Sequence, residues 1–188
     1  MGTDIHYWAE RRTESGWEQC PLDFYCGDER NYALFAILAD VKRMTNGGFE
    51  PIAPPRGFPP DSPLAAKSTE GGGGYYHNET WLSLRELLDF PWHEKKREFR
   101  GWVDAEQYQV FKKTGQPQRF VDQTADLVSN EEMDRLLREG GKTEGFLTMI
   151  TFGIPYAAFA GPFVTETLPK LQTLGSPDDV RLVMFFDS

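Results

Sequence analysis

Cysteine, histidine, long apolar runs and positive charge are all scarce in this chain of 188 residues, and each shortage closes off a class of function. Cysteine occurs twice, at Cys20 and Cys26, with five residues between them. Zinc knuckles do not use that spacing, no second pair follows, and two thiols in a reducing compartment are expected to stay free. Histidine occurs three times, at His6, His77 and His93, so an imidazole-based site has few places to form. No apolar stretch approaches the roughly 20 residues that cross a bilayer, and no charged-then-apolar leader opens the chain. A cytoplasmic protein with no membrane contact is expected. Lys and Arg number 20 against 29 Asp and Glu, a net charge of -9. That balance argues against direct binding of duplex nucleic acid by neutralising its phosphates over a broad surface. It suits an ordinary enzyme, a protein that grips basic surfaces, or a mimic of nucleic acid. Nucleophile signatures are missing as well: there is no Gly-x-Ser-x-Gly, and neither cysteine has a histidine close in sequence.

What is present describes a folded protein. Hydrophobic content of 39% with 14% aromatics supplies a core, and the length suits one domain spanning 1–188, with room for a small insertion. The opening stretch alternates: Ile5, Tyr7 and Ala9 fall on one face of a strand, Asp4, His6, Trp8 and Glu10 on the other. Glu14-Ser15-Gly16 reads as a turn and Trp17 to Cys20 as the returning strand of a hairpin. Leu34, Ile37, Leu38 and Val41 recur at helical spacing, with Asn31 as N-cap and Asn46-Gly47-Gly48 as the stop.

Six prolines crowd Phe49 to Leu64 around Arg56, and Gly71 to Gly74 follows. This stretch, 49–74, reads as a Pro/Gly-rich flexible loop, either plain surface or a lid over a pocket. The glycines are not a phosphate loop, because no Lys-Ser/Thr pair follows them. Ser83 with Glu86 predicts a capping box, and Asp104 with Gln107 and Ser129 with Glu132 predict two further helix starts. The segment from Tyr75 to Trp81 reads as a lead into the first of these helices. Phe90 to Gly101 is highly charged, and 116–125 reads as irregular. Phe146 to Phe152 is a strand candidate, and Phe163 to Leu174 a helix interrupted by Pro169. Val180 to Asp187 is a strand apolar enough to be buried on both faces. The fold expected is α+β: a mixed or antiparallel sheet pairing the N- and C-terminal strands, helices packed on it, and the Pro/Gly-rich excursion.

Several segments together resemble an uncharacterised protein family common in bacteriophage and prophage genomes. They are Gly2-Thr3-Asp4-Ile5-His6, Arg30 to Ala36, Pro51 to Gly57, His77 with Trp81-Leu82-Ser83-Leu84, and Val180-Arg181-Leu182-Val183 through Phe186-Asp187. The resemblance spans nearly the whole chain and implies a phage-type accessory protein working in the host cytoplasm. It implies no mechanism. Family members often show a second histidine near the position of His77, where this chain has Tyr75-Tyr76-His77-Asn78.

The polar groups these motifs gather are Asp4, His6, Asp28, Arg30, Arg56, His77 and Asp187. An Asp-x-His pair on one strand face can offer carboxylate and imidazole to a metal, or let Asp orient His as a general base. His77 completes either arrangement, so Asp4, His6 and His77 are the catalytic candidates. Asp4, His6, His77 and Asp187 are the candidate ligands of a divalent metal. Arg30 and Arg56 can grip phosphate by paired hydrogen bonds, with Asp28 beside them and Trp81 as a pocket wall. Each has a plainer role available: His6 as a hydrogen-bonded strand residue, Asp28 as a helix cap or Arg30 partner, Arg56 as a pin for the proline loop, Asp187 as a loop tether. Two functions are expected from this set. One is a small hydrolase or phosphodiesterase, or a binder, acting on a nucleotide-like phosphorylated small molecule. The other is an acidic inhibitor, not an enzyme, that binds a host defence or nucleic-acid-handling protein.

Overall fold

The last strand of the chain, β7 (Val180–Asp187), lies between the first, β1 (Asp4–Thr13), and β3 (Tyr76–Ser83). With β2 (Gly16–Gln19) beyond β1, they form a four-stranded sheet in the order β2-β1-β7-β3, every pairing antiparallel. The chain is α+β, and its first and last strands pair, as the apolar character of 180–187 requires. The computed structural model describes residues 2–20, 30–41, 48–63, 76–121 and 125–187. The expected helix stop at 46–47, the glycine run, Cys26 and Asp28 lie outside the described residues.

Register sets the two faces of this sheet. Ile5 pairs with Phe186, Tyr7 with Met184 and Ala9 with Leu182, so these point to one side. There they meet α1 (Tyr32–Ala39), with Leu34 to Ala39 all buried. Asn31 caps α1, its Oδ1 accepting the Leu34 N–H at 3.0 Å. Asp40 ends the helix, turning left-handed (φ 57°) with its amide on the Ala36 carbonyl. The helix therefore stops well before the glycines expected to stop it. Cys20 is a buried free thiol in the same core, its pKa raised by burial.

The opposite face carries Asp4, His6, Trp8 and Glu10 from β1, paired with Asp187, Phe185, Val183 and Arg181. Val183 is fully buried there, so β7 is covered on both sides. The cover is the proline-rich stretch. Gly57 donates to the Glu79 carbonyl, the Arg56 amide to Thr80 Oγ1, Phe58 stacks on Trp8 at 6.0 Å, and Ser62 bonds Glu10. Where the sequence suggested a flexible loop, residues 56–62 are a strap tied at successive points. Proline withholds regular hydrogen bonds there, and one backbone bond to β3 with several side-chain contacts replaces them.

β3 contains a bulge between His77 and Thr80, with Asn78 left-handed at φ 55°. One extra residue there reverses the alternation. His77 stays on the α1 face opposite Phe186, while Trp81, opposite Val183, turns to the strap face. Ser83 ends β3 and forms the expected capping box with Glu86, opening α2 (Leu84–Asp89).

The chain divides into two compact units, Met1–Lys95 with Tyr156–Ser188, and Lys96–Pro155. The second is an insertion whose ends meet: the Tyr156 amide donates to the Lys95 carbonyl at 2.9 Å. It holds β4 (Lys96–Val103), α3 (Ala105–Thr114), β5 (Asp126–Val128), α4 (Asn130–Glu139) and β6 (Phe146–Pro155). Its sheet runs β4-β6-β5, antiparallel then parallel. Val103, Tyr108, Met133 and Ile150 form its own core. The helices start at Asp104 and Ser129, as their spacing predicted. β4 was not legible, because its charged face masks the alternating Phe99 and Val103. In the first unit α5 (Tyr156–Ala160) leads to a π-helical turn (Phe163–Thr167) and α6 (Leu168–Gln172). Pro169, lacking an N–H, marks this change of hydrogen-bond ladder.

Phe186 is fully buried, with its ring 5.3 Å from Phe35. Phe186→Ala is expected to cost about 3–5 kcal/mol of unfolding free energy, whereas Met184→Leu stays below about 1.5 kcal/mol. Urea denaturation of the two variants checks this.

Candidate functional site

The strap face holds the polar chemistry of the first unit, in two places. At one end Asp4 accepts from Arg30, 2.9 Å from Nε, and that bond and the guanidinium charge hold its carboxyl below the usual range. Beside it His6 Nε2 lies 3.2 Å from Asp187 Oδ2, with the imidazole stacked on Phe185 at 4.7 Å. Both side chains of this pair are over 40% exposed. Asp4, His6 and Asp187 thus share a face, as alternation and register demand.

His77 does not join them. It lies on the opposite face of the sheet, 6.2 Å from the Phe186 ring, with Nδ1 2.8 Å from Asn78 Oδ1. A site built jointly from Asp4, His6 and His77 is not assembled, and the bulge with the strand register is the reason. Among the described residues no group of three or more His, Cys, Asp or Glu side chains is arranged to hold a metal ion. Asp28 is outside the described residues, and Arg30 is engaged by Asp4.

The other end of the face is a cleft of about 470 Å³ lined by Arg12, Trp17, Arg56, Pro59, Pro60, Asp61, Trp81, Ser83, Glu86, Asp178 and Arg181. Its floor is an ion pair taken wholly out of water. Arg181 Nε donates to Glu10 Oε2 at 2.8 Å, and the two side chains are 3% and 0% exposed. Trp8 Nε1 and Ser62 Oγ both donate to Glu10 Oε1, and Asp61 Oδ1 accepts from Arg181 Nη1 at 2.7 Å. Arg181 Nη2 is 2.7 Å from Glu10 Oε2, close enough for charge attraction but without hydrogen-bond geometry, so this buried donor stays unsatisfied.

Guanidinium and indole groups alternate across the cleft. Arg12 lies 5.1 Å from the Trp17 ring centre, Arg181 3.9 Å from Trp17 and 5.7 Å from Trp81, and Arg56 3.8 Å from Trp81. Arg56 also donates to the Trp81 carbonyl at 2.9 and 2.7 Å and to Glu86 at 2.6 Å. It thereby pins the strap, the plainer of its two expected roles, and with Trp81 still lines the cleft. Arg12 is the exposed end of the ladder, its nearest carboxylate Asp179 at 3.9 Å. The Glu86 carboxyl is pushed up by burial, but bonds from Arg56 and Ser83 outweigh this and hold it below its ordinary 4.5.

Sequence reasoning found Arg56 and Trp81 and missed Arg12, Trp17, Asp61, Glu86, Asp178 and the Glu10–Arg181 pair. One signal was available: Arg181 is the one cation in a strand that is otherwise apolar up to its terminal Asp187, and a buried arginine demands a carboxylate. No protein-family model, curated protein or solved structure matches this chain.

Two outcomes follow. Glu10→Gln removes the buried counter-charge of Arg181, leaving only the exposed Asp61, and is expected to lower stability by about 3–5 kcal/mol. Adding Arg181→Met to that variant is expected to restore part of the loss in chemical denaturation. Glu86, with its folded pKa depressed, stabilises the fold above its unfolded pKa near 4.5 and loses that contribution as pH falls through the folded value. Thermal melts from pH 7 to 3 should therefore drop more steeply in the wild type than in Glu86→Gln.

Proposed function

We propose that this chain is a binding protein for a nucleotide-like small molecule, received in the Trp17–Trp81 cleft. The observation that carries this reading is the alternating ladder of three guanidinium groups and two indoles around one cleft of about 470 Å³. That volume falls within the range of small-ligand sites. Flat rings stack on guanidinium and indole planes, and the N–H edge of an arginine donates to phosphate oxygens, so one ligand class uses both features. Arg12 is the natural recipient, 58% exposed and only distantly paired.

Catalysis has less support, because His6 and His77 project from opposite faces and no imidazole lines the cleft. The acidic inhibitor of a host protein keeps its net charge of -9 as support but gains no apolar anchor: among the described residues the exposed large hydrophobics are Phe120 and Leu127. A sequestering or sensing role in the host cytoplasm accords with the phage-type accessory family that the chain resembles. No helix among the described residues is long and apolar enough to cross a membrane.

The test is titration of the purified protein with cyclic AMP, AMP and ATP, followed by tryptophan fluorescence and calorimetry. At least one should bind, and Trp17→Ala and Arg12→Ala should each weaken it by about tenfold, the scale of one stacking or charged contact. Failure of all three to bind, or binding unchanged in both variants, would refute the assignment.

A further inference from the structure

We infer that the cleft selects a ligand with a single negative charge, a phosphodiester in preference to a polyphosphate, and that Asp61 and Asp178 enforce this choice. The inference rests on the reading of the cleft as a nucleotide site and deepens it. Three guanidinium groups line the cleft, which suggests a polyanion site, but three carboxylates line it too: Asp61, Glu86 and Asp178. Nearly all the positive charge is already committed. Arg181 is held between Glu10 and Asp61, and Arg56 is bonded to Glu86. Asp178 is bonded by Arg85 through both oxygens at 2.6 Å.

Arg12 remains. Among the described residues it is the one guanidinium lining the cleft with no hydrogen-bonded carboxylate; Asp179 stands 3.9 Å away. This one loosely paired positive charge matches one negative charge on a ligand. With every partner among the described residues counted, five carboxylates (Glu10, Asp61, Glu86, Asp178 and Asp179) meet four guanidinium groups (Arg12, Arg56, Arg85 and Arg181), so a second or third phosphate beside Asp61 and Asp178 meets a surplus of negative charge. Those two carboxyls are held below the usual range. Burial pushes Asp61 up, but the bond and charge of Arg181, with bonds from its own backbone amide and from Trp17, together outweigh this, and the Arg85 bond lowers Asp178. Both therefore stay charged at neutral pH, and the discrimination does not lapse there.

Both aspartates are well exposed, at 59% and 66%, and asparagine keeps an oxygen that can accept the Arg181 or Arg85 hydrogen bond. The experiment is calorimetry on the full chain with cyclic AMP and ATP, without divalent metal, at one ionic strength. The wild type should bind cyclic AMP about tenfold or more tightly than ATP, an electrostatic difference of about one like-charge contact. Asp61→Asn and Asp178→Asn should each lower the ratio of cyclic AMP to ATP affinity severalfold, because a ligand with more negative charge gains more from each neutralised carboxylate, with circular dichroism confirming the fold. The inference is overturned if the wild type binds ATP as tightly as cyclic AMP, or if neither variant changes the ratio. Absence of binding by either ligand and by AMP overturns the nucleotide reading of the cleft itself, a result separable from loss of selectivity alone.

Discussion

Glu10 and Arg181 face each other across neighbouring strands with almost no solvent contact, and much of the first unit is arranged to make that tolerable. Removing two charges from water costs several kcal/mol per ion, and their attraction offsets this only if the surrounding donors and acceptors are in place. Here Trp8 and Ser62 serve the carboxylate, Asp61 serves the guanidinium, and Trp17 covers it. Ser62 and Asp61 belong to the proline-rich strap. The strap thus lies across the sheet for an electrostatic reason, and the buried pair fixes where it lies.

The cleft is a by-product of that arrangement. Pro59 and Pro60 form a wall because the residues after them must reach Glu10 and Arg181. Arg56 forms a rung because it ties the start of the strap to Trp81 and Glu86. A structural ladder of stacked arginine and tryptophan, open at Arg12, is also a surface on which another flat or anionic group can stack. The fold's stability and its proposed binding function therefore share residues, which is why Glu86 is expected to register in acid unfolding as well as at the site.

Much of the scaffold was legible. Strand alternation placed Asp4, His6, Trp8 and Glu10 on one face correctly, because a period of two leaves no other choice once Ile5, Tyr7 and Ala9 are buried. Asn31, Ser83, Asp104 and Ser129 were readable as caps, since capping is local chemistry between residues three apart. The charged β4 strand and the short β5 were not legible. Their identity depends on pairing with β6, which lies far along the chain.

The candidate site was legible only in part, for the same reason. Arg56 and Trp81 stood out by residue type, but their neighbours did not, since Trp17, Arg181 and Asp61 come together only through pairing of remote segments. His77 misled because the segment from Tyr75 to Trp81 read as a lead into a helix, whereas Tyr76–Ser83 is a strand whose bulge at left-handed Asn78 puts His77 and Trp81 on opposite faces. The sequence by itself determined the fold class, the pairing of its two end strands, the helix caps and the composition of each face of β1, all short-range or strongly periodic properties. Only the tertiary structure decided which charges meet. A buried ion pair between residues 10 and 181 is a contact that neither spacing nor composition encodes.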